Sequence, residues 1–360
     1  MSAEPQALAS HRDLDRHARP QDDVPPAADA PLLVDRHGRV HRDLRISLTD
    51  RCSLRCTYCM PAAGVPWIPA HDALTTDELV RIAAVAVAQG ITEIRLTGGE
   101  PLLRTDVVDV VSRLAALTGP SGRPEVSLTT NGLRLPELAG PLAAAGLARV
   151  NISIDTLRRD RFRTLTRRDR LDDVLAGIAA ARAVGLSPIK LNVVAMRGVN
   201  DDEIVDLVRF AVEGGYEVRF IEQMPLDAGH VWSRVQMVTG AEVLAALRSA
   251  FDLVEAPGRG SAPAERWVVD GGPATVGVIA SVTAPFCGAC DRVRLTADGQ
   301  LRSCLFARTE TDLRTVLRTG GDDAAVAHAI RRCLAGKRPG HDIDAPGFLQ
   351  PDRPMNAIGG

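Results

Sequence analysis

Three closely spaced cysteines are the part of the sequence with the clearest chemical meaning. Cys52, Cys56 and Cys59 lie within eight consecutive positions, in the spacing C-x3-C-x2-C. Thiolates select zinc, copper(I) or iron–sulfur clusters, and iron–sulfur clusters normally take four cysteines. A cluster held by three thiolates leaves one iron open to a small molecule, as catalytic metal sites keep an open position. The spacing therefore predicts an iron–sulfur cluster with one open iron.

Two other interpretations of this group stay open. The cysteines could form a zinc site with a distant fourth ligand, or they could be core residues clustered by chance. The neighbouring side chains disfavour both, because they are polar or charged and indicate a partly exposed loop: Arg51, Arg55 and Tyr58.

A second cysteine group lies near the C-terminus. Cys287 and Cys290 form a C-x2-C pair, and Cys304 follows after thirteen residues and a predicted hairpin through Asp298-Gly299. Zinc would ordinarily take four protein ligands, and Cys333 is the available fourth cysteine. A metal site is therefore predicted here, with zinc and an iron–sulfur cluster both open from spacing alone.

Composition limits the classes of protein to consider. The chain has 360 residues and a net charge of −2, which argues against a broad nucleic-acid surface. An odd number of cysteines, seven, indicates metal ligation in a reducing cytosol rather than a secreted disulfide framework. No apolar run reaches the roughly 18 residues of a membrane span. We therefore expect a cytoplasmic protein that binds neither nucleic acid nor membrane.

The first 41 residues differ from the rest. They mix Arg and His with many Asp and contain five prolines but no apolar stretch, so they resemble neither a signal peptide nor a transit peptide. This composition predicts a disordered N-terminal extension over residues 1–41.

After Asp43, short apolar runs alternate with longer helical patterns. Strands are predicted at Leu44–Thr49, Glu93–Thr97, Val126–Thr130, Arg149–Ile154, Ile189–Ala195 and Glu217–Ile221. Helices are predicted at Thr76–Gln89, Asp106–Leu117, Leu135–Ala145, Leu171–Val184, Asp201–Glu213 and Gly240–Ala250. Thr75 or Thr76 and Asn200 are expected as N-caps, and Gly90, Gly146, Gly185 and Gly214 as C-caps. The alternation predicts an α/β fold with a parallel sheet.

Such a sheet is either an open doubly wound fold or a partial barrel. Both place chemistry at the carboxyl ends of the strands, and the first cysteine loop directly follows the first strand. We expect a core over residues 42–225, ending near Met224-Pro225, and a C-terminal region over residues 226–360.

The segment Asp43–Pro61, DLRISLTDRCSLRCTYCMP, resembles the GTP 3′,8-cyclase family of the radical S-adenosylmethionine (SAM) enzymes. The C-x2-C-x13-C spacing matches the same family, and the resemblance extends from about Asp43 to the last residue. It implies an incomplete (βα)6 barrel with a C-terminal α+β extension that carries the second cluster. The implied cofactors are two [4Fe-4S] clusters and SAM.

The resemblance also implies roles for individual residues. Thr97-Gly98-Gly99-Glu100-Pro101 is similar to the motif that holds the methionine amino group of SAM. Each cluster would be held by one cysteine group. The SAM-binding positions would be Tyr58, Gly99, Ser153 and Met224. The GTP-binding positions would be Arg45, Arg95, Thr129, Lys190, Arg292, Val293 and Arg294. The terminal Gly359 and Gly360 are expected to enter the active site.

Chemistry supports the cationic positions in that set. Several cations that project from strands toward one mouth are costly unless an anion lies there, and a triphosphate is such an anion. The arginines of the charge-rich loop are expected to be solvated surface residues instead: Arg158, Arg159, Arg167, Arg168 and Arg170.

The implied reaction is a lyase step that opens molybdenum cofactor biosynthesis. Reductive cleavage of SAM would give a 5′-deoxyadenosyl radical, which abstracts the 3′ hydrogen of GTP before the ribose joins guanine C8. The implied partners are a flavodoxin- or ferredoxin-like electron donor, a downstream cyclic pyranopterin monophosphate synthase and a second copy of the chain. The alternatives are a radical SAM enzyme acting on a peptide or another small molecule, and a zinc-binding scaffold.

Overall fold

The computed structural model describes residues 32–359. The six predicted core strands all form, with ends that differ from prediction by no more than two residues. They pair in parallel and in chain order. The strands are β1 (Asp43–Ser47), β2 (Glu93–Thr97), β3 (Glu125–Thr130), β4 (Arg149–Ser153), β5 (Ile189–Ala195) and β6 (Glu217–Glu222).

Helices connect these strands. They are α1 (Thr76–Ala88), α2 (Val107–Ala115), α3 (Leu135–Ala144), α4 (Arg159–Thr166), α5 (Leu171–Ala183) and α6 (Ile204–Gly214). Helix α1 begins at a capping box, in which Thr75 and Glu78 each accept a hydrogen bond from the other's backbone N–H. Such a box satisfies two otherwise unpaired N–H groups, and it confirms Thr75 as the N-cap.

Side chains alternate along every core strand. In β5, Ile189, Leu191 and Val193 are buried in the core that the strands share with the helices. Lys190 and Asn192 occupy the intervening positions and point to the opposite face of the sheet, since the side-chain period of a strand is two. The sheet thus has an apolar face that packs against the helices and a polar face on the opposite side, which lines the inside of the curved sheet.

The C-terminal region extends this sheet at both edges. Its strands are β7 (Leu253–Glu255), β8 (Glu265–Val269), β9 (Thr275–Ile279), β10 (Arg292–Leu295), β11 (Gln300–Arg302) and β12 (Thr311–Asp312). Strand β9 pairs in parallel with β6, and β10 pairs in parallel with β1. The order β12-β11-β10-β1-β2-β3-β4-β5-β6-β9-β8-β7 is linear, so the described strands form an incomplete barrel rather than a closed one.

The remaining helices are α7 (Gly240–Arg248), α8 (Leu313–Arg318), α9 (Asp323–Ala335) and α10 (Met355–Ile358). The hairpin predicted at Asp298-Gly299 is confirmed by the antiparallel pairing of β10 and β11. No helix of residues 32–359 is long and apolar enough to cross a membrane.

Three local predictions need correction. Helix α6 ends at Gly214, and Gly215 is the left-handed cap with φ +69°. The Asn200 side chain does not cap a helix; it donates to the carbonyls of Asp155 and Val194 instead. Helix α4 forms in the segment that was expected to be a charge-rich loop, because Phe162 and Leu165 give it a buried apolar face.

The expectation of disorder is wrong for residues 32–41, while residues 1–31 lie outside the described part of the chain. Val34 and Val40 form an antiparallel bridge, and Leu33 is 1% exposed. The backbone N–H of Leu33 donates to the carbonyl of Gln89 at 3.2 Å, and His41 is buried beside Asp35. The segment is ordered because Leu33 enters the apolar core and Asp35 pairs with Arg39 and His41.

Burial of His41 makes a pH-dependent prediction. Burial and the nearby charge of Lys337 lower the pKa of His41 to about 4 from 6.5. His41 therefore takes up a proton below pH 6.5 in the unfolded chain but only near pH 4 in the folded chain. The free energy of unfolding falls as the pH falls from 6.5 to 4. We expect His41→Gln to remove about 2 kcal/mol of this loss between pH 7.5 and 5.0, as measured by denaturant unfolding at those two pH values. His328→Gln, at an exposed position, is the control; equal slopes in both variants contradict the prediction.

Candidate active site

The first cysteine loop lies immediately after β1. Cys52, Cys56 and Cys59 are half-buried and line one cavity of about 1060 Å³. Helix α4 holds the loop in place, since the backbone N–H groups of Arg55 and Thr57 donate to the carbonyls at its C-terminal end, at 3.0 and 2.9 Å. The loop thus presents three thiols to one space.

Burial raises the pKa of all three thiols, to about 12 for Cys59. Thiolates, not thiols, bind metals, so these cysteines need a cationic group in the cavity to become charged. The set fits an iron–sulfur cluster. Within residues 32–359, no group of three His, Cys, Asp or Glu side chains is arranged to hold a single metal ion.

The glycine pair after β2 lets the cysteine loop approach the sheet. A Cβ on Gly98 would lie 2.3 Å from the carbonyl oxygen of Thr49, and one on Gly99 would lie 2.4 Å from that of Arg51. No side chain fits at these distances, so both positions require glycine.

Glu100, the acidic residue of the same motif, faces into the protein. It is 2% exposed, and its carboxylate accepts hydrogen bonds from Thr130 Oγ1 and the Asn131 backbone, both at 2.7 Å. The sequence suggested an acceptor for a cationic ligand group; the carboxylate instead joins the end of β2 to the end of β3. The backbone of Gly98 and Gly99 lines the cavity in its place.

The four residues predicted to contact SAM all line the cavity of the first cysteine group: Tyr58, Gly99, Ser153 and Met224. Asp155 also lines this cavity and accepts a hydrogen bond from Tyr58 Oη at 2.8 Å. Burial raises the pKa of Asp155 to about 6. The segment that directly follows β4, in the middle of the sheet, thereby supports the cysteine loop.

The second cysteine group lines an adjoining cavity of about 970 Å³, which Cys287, Cys290 and Cys304 share with arginines of the sheet interior. Four residues line both cavities: Thr129, Asn192, Ile221 and Met224. The two cysteine groups therefore open onto neighbouring spaces, which the sequence alone could not establish.

Arginines converge on the second cavity. Arg45 of β1 pairs in register with Arg95 of β2 on one side and with Arg294 of β10 on the other. Like charges directly opposite each other destabilise a sheet. The lining also includes Thr129, Arg219 and Arg292. The cavity wall is thus strongly positive.

These cations are only partly compensated: an Asp43 oxygen lies 3.6 Å from Arg45 Nε, and a Glu93 oxygen lies 4.0 Å from Arg95 Nη2. Burial, aided by repulsion from neighbouring arginines, lowers the pKa of Arg45, Arg95 and Arg219 to about 10. The Nε atoms of Arg45, Arg95 and Arg292 are buried without a hydrogen-bond partner. Buried charges normally have partners, so this wall fits a polyanionic ligand such as a triphosphate.

Two predicted GTP-binding residues are placed elsewhere. Lys190 pairs with Glu217 at 3.1 Å and is absent from the described cavity lining. Val293 is 1% exposed and packs in the main apolar core, because it alternates with Arg292 and Arg294 along β10. Its side chain therefore cannot line the cavity.

The C-terminal tail enters the sheet interior. The Gly359 carbonyl accepts a hydrogen bond from Arg294, and a Cβ on Gly359 would lie 2.3 Å from Ser47 Oγ. Upstream, Asn356 Nδ2 donates to the Asp50 carbonyl at 3.0 Å, and Met355 and Asn356 line the first cavity. Gly360 lies outside the described residues.

Cys333, the alternative fourth ligand of the second group, lies in a different environment. It packs at the edge of the main core, and its thiol donates to the Leu301 carbonyl at 3.7 Å. Burial raises its pKa to about 11. It does not line the cavity of the other three cysteines, so the geometry favours three protein ligands there.

Sequence reasoning missed several lining residues. Arg219 and Asn192 occupy interior positions of β6 and β5, where Arg219 donates to Asn192 Oδ1 at 2.7 Å. Alternation along the two predicted strands would have indicated both. Phe286 and His341 also line the second cavity, and Arg292 stacks on Phe286 at 4.3 Å. No spacing signal identifies these two.

Comparisons with known proteins agree with this geometry. The family model for the radical SAM superfamily matches residues 46–211, and the model for Molybdenum Cofactor Synthesis C matches residues 216–343. The crystal structure of Streptococcus suis SuiB bound to S-adenosylmethionine has a similar fold, with a TM-score of 0.55 and 15% identity, over 78% of this chain and 67% of that one.

Sequence relatives are much more similar. A GTP 3′,8-cyclase of Streptomyces coelicolor is 60% identical over 334 residues, which cover 92% of this chain and 97% of that protein. A GTP 3′,8-cyclase 2 of Mycobacterium tuberculosis is 56% identical, over 91% of this chain and 92% of that protein. The chain therefore belongs to the GTP 3′,8-cyclase family of the radical SAM superfamily.

Proposed function

We propose that this protein converts GTP to 3′,8-cyclo-7,8-dihydroguanosine 5′-triphosphate, the first step of molybdenum cofactor biosynthesis. One observation carries the proposal: a positively charged wall of Arg45, Arg95, Arg219, Arg292 and Arg294 shares a cavity with one group of three cysteines, and that cavity adjoins the cavity of the other group. A radical enzyme acting on a neutral peptide has no need of such a wall. A nucleoside triphosphate carries several negative charges, and such a wall compensates them.

The two cysteine groups bind separate clusters. Cys52, Cys56 and Cys59, in the core of residues 42–225, hold one [4Fe-4S] cluster, and Cys287, Cys290 and Cys304, in residues 226–360, hold the other. When bound, the first cluster and SAM supply the radical that removes hydrogen from the ribose. Tyr58, Gly99, Ser153 and Met224 position SAM, because their atoms line the cavity into which those cysteines open.

The second cavity positions GTP. The arginine wall takes the triphosphate through charge-assisted hydrogen bonds, with Thr129 at the boundary between the cavities. Arg219 joins the predicted set. Lys190 and Val293 have secondary roles: Lys190 is held by Glu217 behind the wall, and Val293 holds β10 in the core so that its neighbouring arginines face inward. Gly359 and Gly360 complete the site.

Isotope transfer tests this function. The reconstituted protein is incubated anaerobically with SAM, dithionite and GTP deuterated at ribose C3′. We expect deuterium in the 5′-deoxyadenosine and a cyclised nucleotide product, both measured by mass spectrometry. Unlabelled 5′-deoxyadenosine with unchanged GTP would mean that another molecule, such as a peptide, is the substrate.

The protein requires a one-electron donor, and we propose an acidic flavodoxin- or ferredoxin-like protein. Arginines around the first cysteine loop support this proposal, because positive charges without ion-pair partners attract an acidic protein. Five of them form no ion pair with the carboxylates of residues 32–359: Arg51, Arg55, Arg163, Arg167 and Arg168. Arg167 donates to the Arg55 and Met60 carbonyls, so its charge lies against the loop itself. A cytoplasmic homodimer and a downstream cyclic pyranopterin monophosphate synthase are proposed from the family alone.

Gly359→Ala tests the role of the tail. Residue 359 has φ +73°, and a Cβ there would also lie 2.9 Å from Thr97 Cγ2. We expect the variant to lose the Arg294 contact and to lower cyclisation by about tenfold or more, a change of 1.4 kcal/mol in the barrier. Gly347→Ala, also at positive φ but with nothing within 4 Å, is the matched control. Equal cyclisation rates in the two variants would argue against a tail in the site.

A further inference from the structure

A buried ion pair in the N-terminal segment lies beneath the second cysteine loop. Arg39 Nε donates to Asp35 Oδ2 at 2.6 Å, and the two side chains are 7% and 0% exposed. Asp35 Oδ1 also accepts hydrogen bonds from the backbone N–H groups of His37 and Arg39, at 2.8 and 3.1 Å. Asp35 Oδ2 also lies 3.1 Å from His41 Nε2. Both carboxylate oxygens therefore have fixed partners, and Asp35 holds one side of the guanidinium in place.

The other side of that guanidinium reaches the cysteine loop. Arg39 Nη1 donates to the Cys287 carbonyl at 2.8 Å, and Nη2 donates to the Arg338 carbonyl at 2.8 Å. Arg39 thus connects the first cysteine of the C-x2-C pair to the segment that follows α9. A planar guanidinium with several fixed donors suits this bridge, whereas a lysine would supply one point charge.

Lys337 supports the second cysteine of the pair. Its Nζ donates to the Arg292 carbonyl at 2.7 Å and to the Cys290 carbonyl at 3.2 Å, and it lies 3.7 Å from Cys290 Sγ. The residue is 2% exposed. Its carbonyl in turn lies 3.1 Å from the ring Nε2 of His37. The same N-terminal segment therefore contacts both cationic supports.

Stability alone does not account for this arrangement. Buried ion pairs contribute little net stability compared with well-packed apolar residues of similar size. Here two buried cations direct their donors at the backbone of Cys287, Cys290 and Arg292, while Lys337 also approaches a thiol. Residues 35–39 precede the segment that the radical SAM family model matches, which begins at residue 46.

We propose that Asp35, Arg39 and Lys337 form a support that positions the Cys287–Cys290 loop and tunes the iron–sulfur cluster bound there. Asp35 orients Arg39, Arg39 fixes Cys287, and Lys337 places a positive charge beside Cys290. The three are positioning residues, since they act through the cysteines. The proposal rests on the second cluster of the proposed function, but its readouts do not depend on turnover.

The test isolates the second cluster. In the full chain, Cys52, Cys56 and Cys59 are replaced by alanine, so that all cluster iron belongs to the second group. Iron release to a chelator is then compared between Arg39→Lys and Arg36→Lys, the latter at an exposed position of the same segment. We expect Arg39→Lys to release iron at least tenfold faster than the control and to change the electron paramagnetic resonance spectrum of the reduced cluster.

Coupling identifies the role of Asp35. If Asp35 acts through Arg39, the single variant Asp35→Asn releases iron faster than the control. The double variant Asp35→Asn/Arg39→Lys then releases iron no faster than Arg39→Lys by itself. Additive effects overturn this part of the proposal, and iron release within twofold of the control overturns the support as a whole. If Arg39→Lys does not fold, Asp35→Asn, which keeps the guanidinium, provides the same comparison.

Lys337→Met tests the charge. Removing a positive charge beside a cluster sulfur lowers its reduction potential, because the reduced cluster is more negative. We expect about a tenfold lower ratio of reduced to oxidised cluster at a fixed potential, which is 59 mV for one electron. Arg338→Met, at an exposed neighbouring position, is the control. An unchanged potential overturns the role of Lys337. If the unmodified protein does not cyclise GTP but the variants still change iron release and reduction potential as expected, the proposed substrate is refuted. The role of Asp35, Arg39 and Lys337 is not.

Discussion

Cys52→Ser is expected to abolish both products of anaerobic turnover, whereas Cys287→Ser is expected to abolish only one. The first cysteine group lines the same cavity as the predicted SAM-binding residues, so its loss removes SAM cleavage and everything after it. The second group lines the cavity of the arginine wall. Its loss misplaces the nucleotide while leaving 5′-deoxyadenosine release in place. We expect a decrease of 10³-fold or more in each affected product, about 4 kcal/mol.

Both products are quantified by liquid chromatography after reaction with SAM, dithionite and GTP. Cys333→Ser is the matched control, because that thiol lies at the edge of the core and off both cavities. It should retain both products. Loss of 5′-deoxyadenosine in Cys287→Ser, with iron in the first group retained, would contradict the division between the two sites.

Arg219→Met is expected to weaken GTP binding and not the fold. The side chain is 5% exposed and donates only to the neutral amide of Asn192. Burial lowers the pKa of Arg219 to about 10, which marks a charge that the free protein compensates poorly. A charge-assisted hydrogen bond to phosphate contributes about 1.5–3 kcal/mol, so KM for GTP should rise by roughly 10- to 100-fold.

The midpoint of thermal unfolding should stay the same or rise, because an apolar side chain replaces a buried cation. Arg209→Met, at an exposed position paired with Asp206, controls for the loss of one arginine and should leave KM unchanged. An unaltered KM in Arg219→Met, at full iron content, would remove Arg219 from the substrate site.

Much of the core was predictable because its signals are local. The six strands and most helices follow from apolar periodicity and capping, as in the Thr75–Glu78 box of α1. The interior positions of Arg45, Arg95, Arg292 and Arg294 follow from the two-residue period of a strand once the strands are known. Cysteine spacing identified the two groups of three cysteines for the same reason, and each group lines one cavity.

The remainder depends on contacts between residues distant in sequence. Val293 was assigned to the substrate, yet its neighbours in β10 take the interior positions and leave it in the core. The order of the segment 32–41 depends on Cys287, Lys337 and Gln89, which are hundreds or tens of residues away. Periodicity within a short window carries no information about such partners.

The position of the C-terminal strands has a consequence for biosynthesis. A nascent chain that ends near residue 225 carries β1 and β6 without β10 and β9, the strands that pair with them in the finished protein. Unpaired strand edges promote association with other chains. The first cysteine loop directly follows one of these edges. At this stage of synthesis the loop is accessible for cluster insertion while the neighbouring strand edge is still able to associate with other chains. Cells that insert iron early would have to protect this intermediate until β10, which ends at Leu295, has left the ribosome and can pair with β1.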